Sequence, residues 1–296
     1  MFDIREALHY RWRNLSGIMQ DVDEKYVDET TTPRVQFRSL DGGEIVTFDA
    51  PAPYKTDEPN EDRLAVIEID EDNRLLAVAD GVGGMPKGEA AAASVIEHLE
   101  LAFREPVAPG SVGSVAATAL ESAHTAIVEA GDGCASTVAL AHISGTSYRS
   151  LHAGDSVVMV SSQRGNLKFE TISHSPVGYA LESGMLSEED AFSHEERHVV
   201  SNLIGGDSLH ITLGGTMELA PRDTLIVASD GVTDNLRQVE LIDAIRIGNL
   251  KACGERLVAM VTERMHGEGK PDDMSFILYR RTPAKRRSQR KRHGQH

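Results

Sequence analysis

Eight acidic side chains stand where apolar runs end or tight turns begin. They are Glu61 and Asp62 in "PNEDRLAVI", Asp80 in "AVADGVGG", Asp155 in "HAGDSVV", Asp230 and Asp234 in "ASDGVTD", and Asp272 and Asp273 in "KPDDMSF". One Asp at such a place is ordinarily a turn former or a cap. Several carboxylates brought to one sheet end would repel each other and hold their protons unless cations neutralised them. Oxygen donors without a His or Cys cluster suit hard, octahedral ions, Mg²⁺ or Mn²⁺. The order apolar run, Asp, Gly, Val occurs twice, at Asp80 and at Asp230. Glycine after each Asp lets backbone approach closely, so a carbonyl could join the oxygen donors.

Such a site needs strands that end together. Strand patterns are expected at "RVQFRSL" and "EIVTFDA", turning at Asp41-Gly42-Gly43, and at "RLAVIEID" and "RLLAVAD", turning across "EDN". The Ala-rich stretch 88–105 reads as a helix stopped by Pro106, and 111–130 as its partner, ended by Gly131. Further strands follow at "ASTVALAHI", "SYRSLHAGD", "SVVMVSS" and "LKFETIS". Residues 173–206 are polar and irregular, in the manner of an insertion. "LHITLGG" and "DTLIVASD" are strands, 238–247 and 250–266 helices, and "MSFILYR" a last strand. The order is not alternating strand and helix, so the expected class is α+β, stacked antiparallel sheets with helix pairs outside. An N-terminal helix at 5–20 and an acidic linker would occupy residues 1–35.

The 296 residues can bury a substantial core. No apolar run approaches the roughly 20 residues that span a bilayer, and the first residues lack a secretory pattern. Cys134 and Cys253, far apart in the chain, read as reduced and buried, which suits a cytoplasmic protein. The net charge of −16 hides an asymmetry, because eight Lys or Arg and no acid fall in residues 280–296. The acidic body argues against a broad nucleic-acid surface. The basic tail, 281–296, reads as a solvated, disordered end, with contact to nucleic acid or anionic lipid as the lesser alternative.

Two other patterns compete. "HEERH", His194 to His198, has zinc-protease spacing, with Glu218 twenty residues on. The β-branched, glycine-broken sequence that follows does not supply the second helix this chemistry needs. His152, beside "AGDS", reads as a satisfied histidine on a strand, and Met159 as core.

Taken in order, "NED", "ADGVGG", "GDS", "SDGVTD" and "DDM" resemble the metal-dependent protein phosphatases, the type 2C or PPM family, over residues 36–280. "HSPVGYALESGMLSEEDAF" onward resembles the flap of its bacterial members, at about 173–206. The resemblance implies two packed antiparallel sheets flanked by helix pairs and two or three Mn²⁺ or Mg²⁺ ions. Asp80 would bridge two metals, with the Gly81 carbonyl on the second. Asp230 and Asp272 would complete the first metal and Glu61 would approach the second, with Asp62 nearby. Asp155, Asp230 and Asp234 would hold a third. The family reaction is hydrolysis of phosphoserine and phosphothreonine in proteins, with water held by the metal pair as nucleophile. The implied partners are phosphoprotein substrates, opposed by a Ser/Thr kinase, and the chain is expected to be a monomer. Three positions depart from the family. Asp57 stands where a phosphate-binding Arg is usual, leaving Lys55 or Arg63 for that task. Val82 replaces a His, and Asp273 an amide. Asp57 in place of that Arg raises the alternative of a pseudophosphatase that binds phosphoproteins without turnover.

Overall fold

The computed structural model describes residues 34–40, 42–53, 55, 59–82, 85 and 87–282. The expected N-terminal helix, most of the acidic linker, Asp57 and the tail from 283 lie outside the described residues.

Two antiparallel sheets form the body. The first orders its strands β1 (Gln36–Leu40), β2 (Gly43–Ala50), β12 (Met274–Arg281), β11 (Thr224–Ala228), β7 (Val157–Ser161) and β8 (Leu167–Glu170). The second runs β10 (Met217–Glu218), β6 (Ser147–Ala153), β5 (Val138–Ser144), β4 (Asn73–Asp80) and β3 (Asp62–Glu68), with β9 (Thr212–Leu213) also on β6. Both expected hairpins are present, β1 with β2 and β3 with β4.

Alternation along the strands sorts the core into three layers. Leu76 and Val78 of β4 meet Leu225 and Val227 of β11 and Ile277 and Tyr279 of β12 between the sheets. Leu75, Ala77 and Ala79 face the other way, onto α1 (Gly88–Ala102) and α2 (Val112–Ala130). α1 buries positions 88, 91, 92, 95, 96 and 99, a stripe at helical spacing. The outer face of the first sheet, including the stacked cross-strand pair Phe48 and Phe276, packs on α6 (Gln238–Ile245) and α7 (Leu250–His266). This four-layer order, helices, sheet, sheet, helices, is the α+β architecture expected. Both cysteines are buried and free, and Met159 is core.

The helix at α7 is capped by Asn249, whose side chain accepts from the Ala252 N–H at 2.8 Å. Asn249→Ala leaves that donor unmet and should cost about 1 kcal/mol, read as a lower urea midpoint with an unchanged slope.

Segment 173–206 departs from the irregular course expected. It contains α3 (Pro176–Glu182) and α4 (Glu188–Phe192). Ser175 and Ser187 cap them, accepting from the N–H groups of Gly178 and Asp190. At seven and five residues, each is too short to show a helical period, although both carry a Ser cap. "LHITLGG" contracts to the two-residue β9. β12 reaches Arg281, and the Thr282 N–H donates to the Gly42 carbonyl, past the expected boundary at 280. "HEERH" lies in turns after α4 ends, and Glu218 is on β10, so no helical face presents these histidines.

Candidate active site

The two-residue period of the strands carries side chains into the gap between the sheets at one end of the sandwich. On β3, Asp62 follows the parity of Leu64 and Val66, and on β4, Asp80 follows Leu76 and Val78. Asp62 and Asp80 are direct antiparallel partners, so they share that face. From the opposite sheet Ser229 extends the parity of Leu225 and Val227, and its hydroxyl donates to Asp62 Oδ2 at 2.8 Å. This bond joins the two sheets.

The repeated Asp-Gly-Val has a steric cause at each copy. A Cβ on Gly81 would lie 2.3 Å from the Gly88 backbone, where the end of β4 meets the start of α1. A Cβ on Gly231 would lie 1.9 Å from the Asp273 carbonyl oxygen, where β11 turns beside the start of β12. Asp80 is held by its main chain, its carbonyl accepting from Thr137 N–H at 2.8 Å and Ser136 Oγ at 2.9 Å. Asp230 opens a single helical turn, α5 (Asp230–Thr233), that puts Asp234 one turn on, and the Asp234 N–H bonds the Asp230 carbonyl. Asp155 follows Gly154 in the turn from β6 to β7.

Burial, followed by repulsion from Asp62, Asp230, Asp155 and Asp272, drives the Asp80 pKa well above the usual carboxylate range. Burial likewise pushes Asp62 up to about 7 and, with Asp230 and Asp234 adding repulsion, Asp155 up to about 8. Asp230 and Asp272 are also raised, burial being the largest cause, with the Lys270 ammonium opposing it in both. Six of the predicted residues therefore act on one another electrostatically: Asp62, Asp80, Asp155, Asp230, Asp234 and Asp272.

Glu61 and Asp273 form a second group around Lys55. The Lys55 ammonium bonds Glu61 Oε2 at 2.8 Å and Asp273 Oδ2 at 3.0 Å. Asp273 also accepts from the N–H groups of Ala52 and Glu61, at 2.8 and 2.7 Å. Its carboxylate is thus spent on main chain and Lys55, which accounts for an acid at this position. Arg63 donates to the carbonyls of Asn60 and Asp62. Lys55 is thus paired with two carboxylates, and one Arg63 nitrogen with two main-chain carbonyls. His152 is buried on β6, bonded to the Ile172 carbonyl at 2.8 Å and stacked on His174, as a core histidine.

Sequence reasoning missed Lys270, Ser229 and Asn235. The Asn235 amide donates to the carbonyls of Gly231 and Lys270, both at 2.9 Å, tying α5 to the turn before β12. Lys270 was visible as a base two residues before Asp272, but nothing in the sequence aims its side chain.

The donor set fits divalent cations. All its side-chain donors are hard oxygens, Asp62 Oδ1 is buried with no hydrogen-bond partner, and Asp62, Asp230, Asp155 and Asp272 repel the Asp80 carboxylate. As the side chains stand, no group of three or more His, Cys, Asp or Glu among the described residues is arranged to hold an ion. The three carboxylates that do converge on one point converge on the Lys270 ammonium.

Paired antiparallel sheets thus lie between helix pairs, with acids gathered at one end of the inter-sheet gap. A family model for protein phosphatase 2C matches residues 51–266, and the chain belongs to that family. The serine/threonine protein phosphatase PstP of Mycobacterium tuberculosis is 29% identical over 213 residues, covering 69% of this chain and 40% of that protein. The chain thus spans about two fifths of the length of that curated relative. The serine/threonine phosphatase stp of Listeria welshimeri is 23% identical over 231 residues, 75% of this chain and 90% of its own. In structure, Stp1 of Staphylococcus aureus superposes with a TM-score of 0.72 at 20% identity, over 88% of this chain and 100% of its own. The catalytic domain of PstP, solved with two manganese ions, gives 0.65 at 20% identity, over 85% and 100%. The fold is that of these phosphatases. No helix among the described residues is long and apolar enough to cross a membrane.

Proposed function

We propose that the chain is a divalent-metal-dependent phosphatase of phosphoserine and phosphothreonine in proteins. One observation carries this reading: the antiparallel pair Asp62 and Asp80 meets Asp155, Asp230 and Asp272 at the end of the gap between the sheets. Membership of the protein phosphatase 2C family and the names of its relatives support it.

Asp80, Gly81, Glu61, Asp230 and Asp272 would hold two Mn²⁺ or Mg²⁺ ions, with Asp155 and Asp234 beside them. When bound, such ions lower the pKa of a water and neutralise charge on the transferring phosphoryl group. The protein's own residues prepare that chemistry. Asp80 is fixed through its main chain, so its carboxylate need not be ordered on binding. Asp62 keeps one oxygen on Ser229, while its buried Oδ1 is left as an acceptor. Lys55 holds Glu61 Oε2, while Glu61 Oε1 lies close to Gly88 at the start of α1. The substrates are phosphoproteins supplied by a Ser/Thr kinase, and the chain acts as a monomer in the cytoplasm.

The test is hydrolysis of a phosphothreonine peptide with Mn²⁺, with Mg²⁺ and with EDTA. Turnover is expected with either ion and should fall to background in EDTA. A folded, Mn²⁺-loaded chain with no turnover would overturn the proposal and favour a phosphoprotein-binding role.

A further inference from the structure

Lys270 lies in the turn between α7 and β12. Its ammonium is 3.2 Å from Asp230 Oδ2, 3.0 Å from Asp234 Oδ2 and 2.9 Å from Asp272 Oδ2. An ammonium has three N–H donors, and here three carboxylates surround it. The backbone commits the side chain to this place. The Lys270 carbonyl accepts from Asn235 Nδ2, and that same amide holds the Gly231 carbonyl beside Asp230. Pro271 follows, which biases Lys270 to extended backbone and away from helix. Burial works against its charge, but the attraction of Asp230, Asp234 and Asp272 outweighs burial and raises its pKa.

The spacing is that of an ammonium cage. Oxygens at 2.9 to 3.2 Å from one centre stand farther out than the roughly 2.1 Å that Mg²⁺ requires. Two of the three carboxylates, Asp230 and Asp234, are among those the family resemblance gives to a third metal.

We propose that Lys270 is a built-in cation, occupying one cation position on the Asp230, Asp234 and Asp272 side, so that the chain holds one divalent ion fewer than its carboxylates could. This rests on the divalent-metal reading of the site. A tethered ammonium neutralises one charge, cannot dissociate, and offers water or phosphate no coordination position. Lys270 thus balances charge on the three carboxylates it touches, Asp230, Asp234 and Asp272.

The experiment counts ions. The full chain, stripped with chelator, is equilibrated with Mn²⁺ by dialysis, and bound metal per chain is measured together with a calorimetric titration. Wild type, Lys270→Ala, Lys270→Met and Lys270→Arg are compared, with circular dichroism as the check on folding. Lys270→Ala and Lys270→Met are expected to bind one Mn²⁺ more per chain than wild type. Lys270→Arg, which keeps the charge, should keep the wild-type count. Lys270→Met retains the apolar stem, so the count can be read even where Lys270→Ala unfolds. An unchanged count in the neutral variants, whether or not affinity shifts, overturns the inference. No Mn²⁺ on any of the four proteins removes the metal reading and the inference together. A wild type that binds Mn²⁺ without turnover removes only the proposed activity, and the ion count still decides the role of Lys270.

Discussion

Asp80→Asn is expected to lower kcat/KM toward a phosphothreonine peptide by about a thousandfold or more, with no loss of fold. The substitution is nearly isosteric, and the backbone bonds to Thr137 and Ser136 that hold position 80 do not involve the side chain. What changes is charge. An amide is a poor substitute for a carboxylate beside a hard dication, and four other acids of the site, Asp62, Asp230, Asp155 and Asp272, act on Asp80. In EDTA the same variant should melt no lower than wild type, because it removes a buried group repelled by Asp62, Asp230, Asp155 and Asp272. Mn²⁺ should raise the melting temperature of wild type far more than that of the variant. Turnover within about threefold of wild type would show that Asp80 stands apart from the reacting centre.

The metal-free chain should lose stability as the pH rises from about 4 to about 8, the reverse of what salt-bridged carboxylates produce. Burial, with neighbouring acids adding to it, raises Asp62 to about 7 and Asp155 to about 8 in the folded chain. An unfolded chain returns them to about 4. Between those values the folded state binds more protons than the unfolded state, so unfolding becomes easier with each step up in pH. The contribution is fully present below about pH 4 and is lost as the pH passes through 7 to 8. Its size is on the order of several kcal/mol for the cluster. The measurement is a difference, urea midpoints in EDTA for wild type and Asp62→Asn across that range. The variant should show the flatter profile, and parallel profiles would mean that Asp62 is ionised in the metal-free fold. Saturating Mn²⁺ should abolish the fall.

Much of this site could be read from residue spacing. Asp80 and Asp230 each end an apolar run and precede a glycine, and strand period alone puts Asp62 and Asp80 on the face of Leu64, Val66, Leu76 and Val78. The helix pairs were legible for the same reason, since α1 and α7 bury residues at regular helical steps. Where one bond or one turn decides, the sequence was mute. α5 is four residues long, too short for any period, yet it sets the angle between Asp230 and Asp234. β9 and β10 are two residues each and exist through pairing with β6 alone. The grip of Ser229 on Asp62 joins residues 167 apart in the chain. Lys55 and Arg63 were plausible phosphate ligands by type, and only the fold shows them bonded to Glu61 and Asp273, and to main-chain carbonyls. Lys270 is a flexible side chain in a turn, and its target is assembled from two different elements.

Asp273 has a consequence for how this enzyme family can diversify. One carboxylate grips Ala52, Lys55 and Glu61, and so pins both shoulders of the segment leading into β3. In the sequence, residues 56–58, which include Asp57, fall between those anchors. Exchange or lengthening of that span leaves the position of Glu61 to Asp273 rather than to the span itself. Evolution, or a protein engineer, can therefore rewrite the approach to the site while the acids beneath it keep their places.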